Sequence, residues 1–371
     1  MVLASRDASH DDDDQMSAHP ILFIPGPVEV DDELRALMSA PLIGHRSQPA
    51  KDGFIRVCDG LKRLYRTEQH AFFENAAATA LMEAGLRNLV RRRSLHVTCG
   101  AFSERWAKIA TACGREPFVV EKAWGEAVTP DDVLQALAQA GPGIEAVCLT
   151  HCETSTGVLN PVGSIAAALR AAHPELLILV DAVTSVGGAA LDFDGDGFDL
   201  AFAGTQKCLA LPPGLVTFAL SERAVARAAT VDGRGFLIDF AAAPQRFAAG
   251  ETPATPCVPL VFALERQLQR IADEGLEARW ARHLALRDRT LAWGEAHGFR
   301  PFVAEGFRSP TVTTLCGEPS RIDAVVAAAR AAGFVLGKGY GKLKDSTFRV
   351  GHMGDHSVAR LEALLDAIRA A

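Results

Sequence analysis

The chain has 371 residues, of which 49% are hydrophobic and 22% are charged, and its formal net charge is −7. This length exceeds that of a typical single domain, so two domains that share an interface are expected. The negative charge argues against nucleic acid or an anionic membrane as the main partner, and no apolar run is long enough to span a bilayer. The eight cysteines are scattered without a CxxC pair. This usage is typical of a reducing compartment, so we expect a cytoplasmic protein.

The first 19 residues contain four consecutive aspartates, Asp11 to Asp14, and lack the basic and apolar regions of a signal peptide. We therefore expect a disordered acidic lead over residues 1–19. Order is expected to begin at Pro20, with a short helix at 32–38. The following loop contains His45 and Arg46. It is either a surface loop with a basic tip or a loop that reaches an active site, its own or a partner's.

Short apolar runs at 70–73, 95–98, 146–150, 176–180, 200–203 and 215–220 predict strands, with helices between most of them. This alternation predicts an α/β fold with a doubly wound, mainly parallel sheet. Residues 232–256 are expected to be irregular, and 259–296 to form a long helix interrupted near Gly275. Short strands and helices after residue 300 predict a small α+β domain. We place a large domain at residues 20–280 and a small C-terminal domain at 281–371.

Two of these apolar runs end in residues of opposite charge. The run at 176–180 stops at Asp181, and the run at 200–203 is followed by Gly204-Thr205-Gln206-Lys207. In open α/β sheets, ligands bind beyond the carboxyl ends of the strands. A lysine and an aspartate there suit pyridoxal phosphate (PLP), because the lysine forms a Schiff base and the acid keeps the pyridine nitrogen protonated. Taken singly, Asp181 is more often a helix cap, and Lys207 a solvated loop residue.

The helix predicted after the strand at 70–73 is a candidate anion site. Its N-terminus presents free N–H groups, the small residues Ala76 to Ala78 let a phosphate approach, and Thr79 can add a hydroxyl bond. Alanine runs also simply start helices, so this signal is weak by itself. Phe102, after the strand at 95–98, either stacks on a planar cofactor or belongs to the core.

Motifs for other chemistries are missing. The sequence contains neither a P-loop nor a G-x-S-x-G nucleophile elbow. His151-Cys152-Glu153 lacks the P-C-x-x-C partner of the zinc deaminases, and no metal site is expected. The glycine-rich stretch 337–341 lacks the strand-to-helix context of a dinucleotide site.

Taken in order, the stretches of this chain resemble the class V aminotransferases of fold type I, specifically the alanine–glyoxylate and serine–glyoxylate (serine–pyruvate) branch. The resemblance runs from residue 22 to the end. It rests on motifs that follow one another along the chain: Pro-Gly-Pro at 25–27, Pro-Leu-Ile-Gly-His-Arg at 41–46, Thr-Ala-Leu-Met-Glu-Ala at 79–84, His-Cys-Glu-Thr-Ser-Thr-Gly at 151–157, Val-Asp-Ala-Val-Thr-Ser at 180–185, Gly-Thr-Gln-Lys at 204–207, Pro-Pro-Gly at 212–214, Arg-Ser-Pro-Thr-Val-Thr at 308–313 and Phe-Arg-Val-Gly-His-Met-Gly at 348–354.

The resemblance implies a PLP-dependent transaminase and assigns roles around the cofactor ring. Lys207 would carry the Schiff base, and Asp181 would pair with the pyridine nitrogen. Val183 and Phe102 would pack on the two faces of the ring, and Thr154 would hydrogen-bond the phenolic oxygen. An aspartate beside an opposite charge is expected to be ionised at neutral pH without an unusual pKa shift.

The same resemblance assigns the phosphate and the substrate. Ala78, Thr79 and Gln206 would hold the phosphate, and Thr255 would reach it from the opposite subunit of a homodimer. Arg349 would clamp the substrate carboxylate bidentately. The loops that carry Gly26, His45 and Arg46 would contribute to substrate binding.

Three positions depart from the family pattern. Relatives usually place serine and glycine where this chain has Ala76 to Ala78, several have tryptophan at Phe102, and the close glyoxylate enzymes have Tyr-His-Thr in the segment that here reads Thr-Pro-Ala-Thr-Pro. The expected reaction moves an amino group from alanine or serine to glyoxylate or pyruvate. The alternatives are a 2-aminoethylphosphonate–pyruvate transaminase, a cysteine-acting PLP lyase, or a cofactor-binding domain that has lost turnover.

Overall fold

The structure is a computed structural model that describes residues 19–370, so the acidic lead predicted for residues 1–19 lies, apart from His19, outside the described residues. Its strands are β1 (Ile21–Phe23), β2 (His70–Ala76), β3 (Arg93–Thr98), β4 (Glu116–Glu121), β5 (Ile144–Thr150), β6 (Cys152–Glu153), β7 (Val158–Leu159), β8 (Leu177–Asp181), β9 (Leu200–Gly204), β10 (Gly214–Leu220), β11 (Arg300–Pro301), β12 (Val312–Cys316), β13 (Phe334–Lys338) and β14 (Thr347–Gly351). Its helices are α1 (Asp32–Met38), α2 (Gln48–Tyr65), α3 (Ala78–Leu89), α4 (Ala101–Ala112), α5 (Pro130–Ala140), α6 (Val162–Ala172), α7 (Glu222–Ala228), α8 (Ala243–Ala248), α9 (Val258–Glu274), α10 (Leu276–Ala296), α11 (Pro319–Ala331) and α12 (Val358–Ala367).

The larger sheet has seven strands in the order β2-β10-β9-β8-β5-β3-β4. The five strands from β9 to β4 are parallel, whereas β10 runs antiparallel to both of its neighbours. The predicted mainly parallel α/β sheet is therefore confirmed. Strands β8 and β9 are buried along their whole length, which is why they occur in the sequence as continuous apolar runs.

The smaller sheet has five strands in the order β1-β13-β14-β12-β11. Its first strand comes from the start of the described chain, because Ile21, Leu22 and Phe23 pair in parallel with β13. Phe23 accordingly packs in the same core as Phe299 and Phe348. The division of the chain at residue 280 falls inside α10 and stays a prediction.

Local sequence explains where several helices begin. Thr129 accepts a hydrogen bond from the backbone N–H of Asp132 and Pro130 occupies the first turn, as predicted for α5. Ser221 caps α7 in the same way. The segment 232–256, predicted to be irregular, contains the short helix α8, so that prediction was wrong there. Within residues 19–370, none of the helices has the length and apolar character needed to cross a membrane.

Candidate active site

The carboxyl ends of β5, β8 and β9 meet at one edge of the larger sheet. Asp181, the last residue of β8, lies opposite Thr150 of β5 and Phe202 of β9. The backbone N–H of His151 donates to the Asp181 carbonyl at 2.9 Å, and that of Ala182 donates to the Phe202 carbonyl at 3.0 Å. The backbone of Asp181 is thus fixed between its two neighbouring strands.

The Asp181 carboxylate is buried with little compensation. Its side chain is 4% exposed, and Oδ1 accepts one hydrogen bond, from the backbone N–H of Val183 at 2.9 Å. Burial raises the pKa of Asp181 to about 7, and the charges of Lys207 and Arg105 oppose that rise. The ordinary pKa expected for Asp181 beside an opposite charge stays a prediction, because the described residues place no cation in hydrogen-bond contact with this carboxylate. A cation placed against this carboxylate would favour its ionised form.

Lys207 lies in the turn after β9, and its side chain faces the loop that contains Gly26. Its Nζ donates to the Pro25 carbonyl. A Cβ added at Gly26 would come within 2.6 Å of Nζ, and Gly26 has φ +109°, so glycine is required here. Burial lowers the pKa of Lys207 to about 8, the nearby Arg349 adds to this, and Asp181 opposes it. The Lys207 and Asp181 charges are therefore close enough to act on each other.

Arg349 reaches the same edge of the larger sheet from β14 of the smaller sheet. Its Nη1 donates to the Thr154 carbonyl at 3.1 Å and its Nε donates to the Lys338 carbonyl at 3.2 Å. Both acceptors are neutral, and burial lowers the pKa of Arg349 to about 10. Among the ion pairs of residues 19–370, none involves this guanidinium. It is therefore available to an anionic ligand.

Phe102 lies in the first turn of α4, beside Tyr340. The two ring centroids are 5.6 Å apart, and the Arg105 guanidinium lies 4.7 Å from the centroid of the Phe102 ring. Thr154 is buried, and its Oγ1 lies 2.5 Å from Oγ1 of Thr184. The structure thus brings Phe102 and Thr154 to the part of the sheet edge that holds Asp181 and Val183.

The predicted phosphate site is the N-terminus of α3. The helix begins at Ala78, and no side chain caps it through Ala77, so its first N–H groups have no side-chain acceptor. Thr79 is exposed in the first turn. Gln206 lies next to Lys207, and its Oε1 would be 2.6 Å from a Cβ added at Gly204. A helix end of this kind suits a phosphate.

His45 and Arg46 lie apart from these residues within one chain. Together with Thr255 and Lys51 they line a cavity of about 650 Å³. Asn75, just before α3, holds the Thr255 segment, because its Nδ2 donates to the Thr255 carbonyl at 3.2 Å and its Oδ1 accepts from the backbone N–H of Cys257 at 2.9 Å. Among the described contacts, none joins His45 or Arg46 to Lys207.

Sequence reasoning missed two buried residues that build the site. Glu153 is fully buried, and its carboxylate accepts hydrogen bonds at the start of α4. Arg279 of α10 is 1% exposed, and its Nη2 donates to the Cys208 carbonyl at 2.8 Å and to Asp355 at 2.8 Å. Glu153 stands inside a motif that the sequence displays, directly before Thr154. Arg279 carries no comparable signal, because its partners are distant in the chain.

These features together fit PLP. A buried lysine with a lowered pKa suits covalent attachment of a carbonyl carbon, and a buried aspartate that has no cation in hydrogen-bond contact suits a protonated ring nitrogen. The α3 N-terminus suits the phosphate, and the unpaired Arg349 suits a substrate carboxylate. The donor set is therefore that of a PLP site.

Comparisons with known proteins agree with this geometry. The sequence model of the family described as aminotransferase class-V matches residues 77–296. An uncharacterized aminotransferase of Methanocaldococcus jannaschii is 34% identical over 90% of this chain and 88% of its own length. The serine–glyoxylate aminotransferase of Methylorubrum extorquens is 31% identical over 90% of this chain and 86% of its own length.

The fold matches as well. The crystal structure of an alanine–glyoxylate aminotransferase from Nostoc superposes with a TM-score of 0.88 at 26% identity, covering 100% of this chain and 97% of the other. The fold-type I architecture and the PLP cofactor follow from these matches. The chain belongs to the class-V aminotransferases and is a PLP-dependent enzyme.

Proposed function

We propose that the enzyme moves an amino group from alanine or serine to glyoxylate or pyruvate by a ping-pong mechanism. The observation that carries this proposal is the convergence of a buried lysine and an unpaired arginine. The Arg349 charge lowers the pKa of Lys207, after burial itself, and the Arg349 guanidinium has only carbonyl acceptors. The names of the Methylorubrum and Nostoc proteins, a serine–glyoxylate and an alanine–glyoxylate aminotransferase, support these substrates.

PLP, when bound, supplies an electron sink for the carbon from which the proton is removed. Arg349 binds the α-carboxylate of the amino acid through two parallel N–H donors. Lys207 would take the proton from the substrate Cα as general base and then, as general acid, pass it to the C4′ carbon of the cofactor; its lowered pKa favours the neutral amine that the first step needs. Asp181 would keep a proton on the ring nitrogen.

Neighbouring residues position the ring and its substituents in this proposal. Phe102 and Val183 would pack on the two faces of the ring, and Thr154 would donate to the phenolic oxygen. The N–H groups of Ala78 and Thr79, together with Gln206, would bind the phosphate. Their placement at the sheet edge and at the α3 N-terminus supports these roles.

We further propose that the enzyme is a homodimer in which Thr255, His45 and Arg46 serve the partner's site. In the single chain these three residues share one cavity away from Lys207. Nearby Leu42 is 75% exposed, as is expected of an apolar residue that a second subunit covers. The gel-filtration mass of the full chain tests this arrangement: a monomer that retains full turnover contradicts it.

We also propose a cytoplasmic location. All eight cysteines are free, and most are buried. Free thiols in such number are typical of proteins that work in a reducing compartment.

The decisive experiment pairs a lysine variant with a substrate panel. Lys207→Ala is expected to abolish turnover and the absorbance band of the lysine-bound cofactor, whereas Lys108→Ala, at an exposed position on α4, should keep both. Alanine, serine, cysteine and 2-aminoethylphosphonate would be tested as donors, with glyoxylate and pyruvate as acceptors. A Lys207→Ala variant with full activity contradicts the assignment.

The same panel separates the related reactions. Preference for 2-aminoethylphosphonate would favour the phosphonate transaminase, which the basic side chains of His45 and Arg46 at one cavity support. Sulfur release from cysteine without a need for a 2-oxo acid would favour the lyase. Binding of PLP without conversion of any donor would favour a domain that has lost turnover.

A further inference from the structure

Glu153 has the most completely satisfied buried carboxylate near the site, and the proposed reaction gives it no role. Its side chain is 0% exposed. Oε1 and Oε2 accept from the backbone N–H of Phe102, both at 3.2 Å, and Oε2 accepts from the N–H and Oγ of Ser103 at 2.9 and 3.0 Å. Oε1 also accepts from the N–H and Oγ of Ser155 at 3.2 and 2.6 Å. Three of these groups are backbone N–H donors, and the other two are serine hydroxyls that donate here.

These contacts make Glu153 the cap of α4. The helix starts at Ala101, and Gly100 before it has no side chain that could cap it. The Glu153 carboxylate of β6, fifty residues further along the chain, instead accepts hydrogen bonds from the first-turn N–H groups. A negative charge is favourable at this end of a helix, and charged hydrogen bonds are the strong ones. These hydrogen bonds to the Glu153 carboxylate, the Glu153 anchor, therefore hold the first turn of α4 against β6.

The chain is shaped to admit this carboxylate. A Cβ added at Gly100 would lie 2.5 Å from Cγ of Glu153 and 2.6 Å from Oγ of Ser155. Ser155 completes the link, because its Oγ also accepts from the backbone N–H of Ala101 at 3.0 Å. The absence of a side chain at Gly100 thus leaves the space that the anchor occupies.

The anchor lies between two residues assigned to the cofactor ring. Phe102, whose backbone it holds, is the proposed stacking residue, and Thr154 follows Glu153 directly in the chain. The Glu153 charge also reaches the site, since it raises the pKa of Asp181 after burial itself and opposes the fall in that of Arg349.

We infer that Glu153 is a positioning residue of this enzyme: its carboxylate fixes the first turn of α4 so that Phe102 is held against the cofactor ring. The inference rests on the proposed function, which places that ring between Phe102 and Val183. Glu153 does not touch the substrate, and its effect is transmitted through the Phe102 backbone. Removal of the Glu153 charge is therefore expected to loosen the contact of Phe102 with the cofactor ring and to leave the substrate-binding residues in place.

The test compares Glu153→Gln with Asp132→Asn. Asp132 is the control at another helix start: its Oδ2 accepts from the N–H and Oγ1 of Thr129 at 2.8 and 2.7 Å, and also from Nζ of Lys122 at 2.8 Å. In Glu153→Gln the new amide N–H₂ group faces backbone N–H groups in either orientation, those of Phe102 and Ser103 or those of Phe102 and Ser155, so part of the anchor is lost. Both variants are expected to unfold at lower temperature than the wild type.

Only Glu153→Gln should change the bound cofactor. We expect its visible circular dichroism per bound PLP to fall by about half, and kcat to fall about tenfold or more with donor KM changed about threefold or less, because a misplaced ring costs rate more than binding. Asp132→Asn should keep the wild-type circular dichroism and kcat. Equal thermal loss in both variants, with wild-type circular dichroism and kcat in Glu153→Gln, overturns the inference.

A milder variant covers the case in which Glu153→Gln does not fold. Ser155→Ala removes only the 2.6 Å hydroxyl donor and the link to Ala101, and it should lower the circular dichroism in the same direction by a smaller amount. Unchanged circular dichroism in that variant overturns the inference as well. Failure of the proposed function looks different, since the wild type itself would then fail to transaminate alanine or serine, or would lack a cofactor band that depends on Lys207.

Discussion

Asp181 and Asp199 are two buried aspartates at opposite ends of neighbouring strands, and they differ in how many hydrogen-bond donors the chain supplies to their carboxylates. Asp199, just before β9, is 1% exposed and accepts from Nη2 of Arg170 at 2.7 Å, the N–H of Ile178 at 2.9 Å and Oγ of Ser221 at 2.7 Å. Asp181, at the end of β8, has one N–H donor from the chain, at 2.9 Å.

The difference separates a structural charge from a functional one. Asp199 is fully compensated by the chain that surrounds it, so its burial costs little as long as its partners stay in place. Asp181 is buried without such partners, and its raised pKa reports that cost. Groups with perturbed pKa values of this kind cluster at functional sites, where a ligand completes the set of partners.

The largest expected effect comes from Asp181→Asn. An amide cannot keep the ring nitrogen protonated, so kcat should fall by about a thousandfold, comparable to the loss of a key electrostatic contact. The chain without PLP should be no less stable at pH 8, because the variant removes a buried charge. Steady-state kinetics and urea unfolding check the two parts. A kcat within tenfold of wild type would contradict the functional reading of Asp181.

Asp199→Asn should show the reverse pattern. Removing this charge leaves the Arg170 guanidinium without its ionic partner, so the free energy of unfolding should fall by about 3 kcal/mol. The kcat of the folded fraction should stay near that of wild type, because Asp199 lies at the far edge of the sheet. Urea unfolding and kinetics on the same preparation measure both quantities. A large loss of kcat at full stability would remove the contrast with Asp181.

A smaller effect on activity is expected for Arg349, which is compared here with Arg170 at the other end of the sheet. Arg349→Lys keeps the positive charge but loses the bidentate fork, so kcat/KM for the donor should fall about tenfold to hundredfold. Arg170→Lys, at the opposite edge, should lower the unfolding temperature and leave kcat/KM nearly unchanged. Equal losses of kcat/KM in the two variants would contradict the assignment of Arg349 to the substrate carboxylate.

The sequence predicts the central strands well because their signal is local. Residues 177–181 and 200–204 are buried on both faces, and their apolar runs end where the strands end. Strand β1 gives no such signal. It has three residues, and its partner β13 lies more than 300 residues further along the chain. The antiparallel direction of β10 is likewise set by its partners β2 and β9 and not by its own residues.

The candidate site divides in the same way. Lys207, Asp181 and Arg349 stand in short motifs, so the family resemblance gives them roles. The pKa of Asp181 depends on burial by residues from several elements, and the hydrogen bonds of Glu153 join groups about fifty positions apart. Such properties arise only when the chain is folded, so the sequence indicated neither the effect of burial on Asp181 nor a role for Glu153.

The last expected effect is one of stability alone and concerns Lys207 in the chain without PLP. Burial lowers its pKa from 10.5 to about 8, so below pH 8 the folded chain bears the full cost of a buried ammonium group. As the pH rises from 8 to 10.5, the unfolded chain holds more protons at this residue than the folded chain does, and wild-type stability gains relative to a variant without the amine.

Lys207→Met should therefore be more stable than wild type at pH 7, and this advantage should shrink by about 3 kcal/mol as the pH rises from 8 to 10.5. Urea unfolding at a series of pH values, at fixed protein concentration, measures it. Lys108→Met is the control, since its exposed amine should give no such trend. Groups that titrate in this range away from Lys207 are common to all three proteins and cancel, whereas Cys152 and Cys208 are coupled to the amine. A difference in unfolding free energy between Lys207→Met and wild type that stays constant with pH would show that burial does not lower the pKa of Lys207. The contrast between an uncompensated site at this end of the sheet and the compensated Asp199 at the other end would then not extend to Lys207.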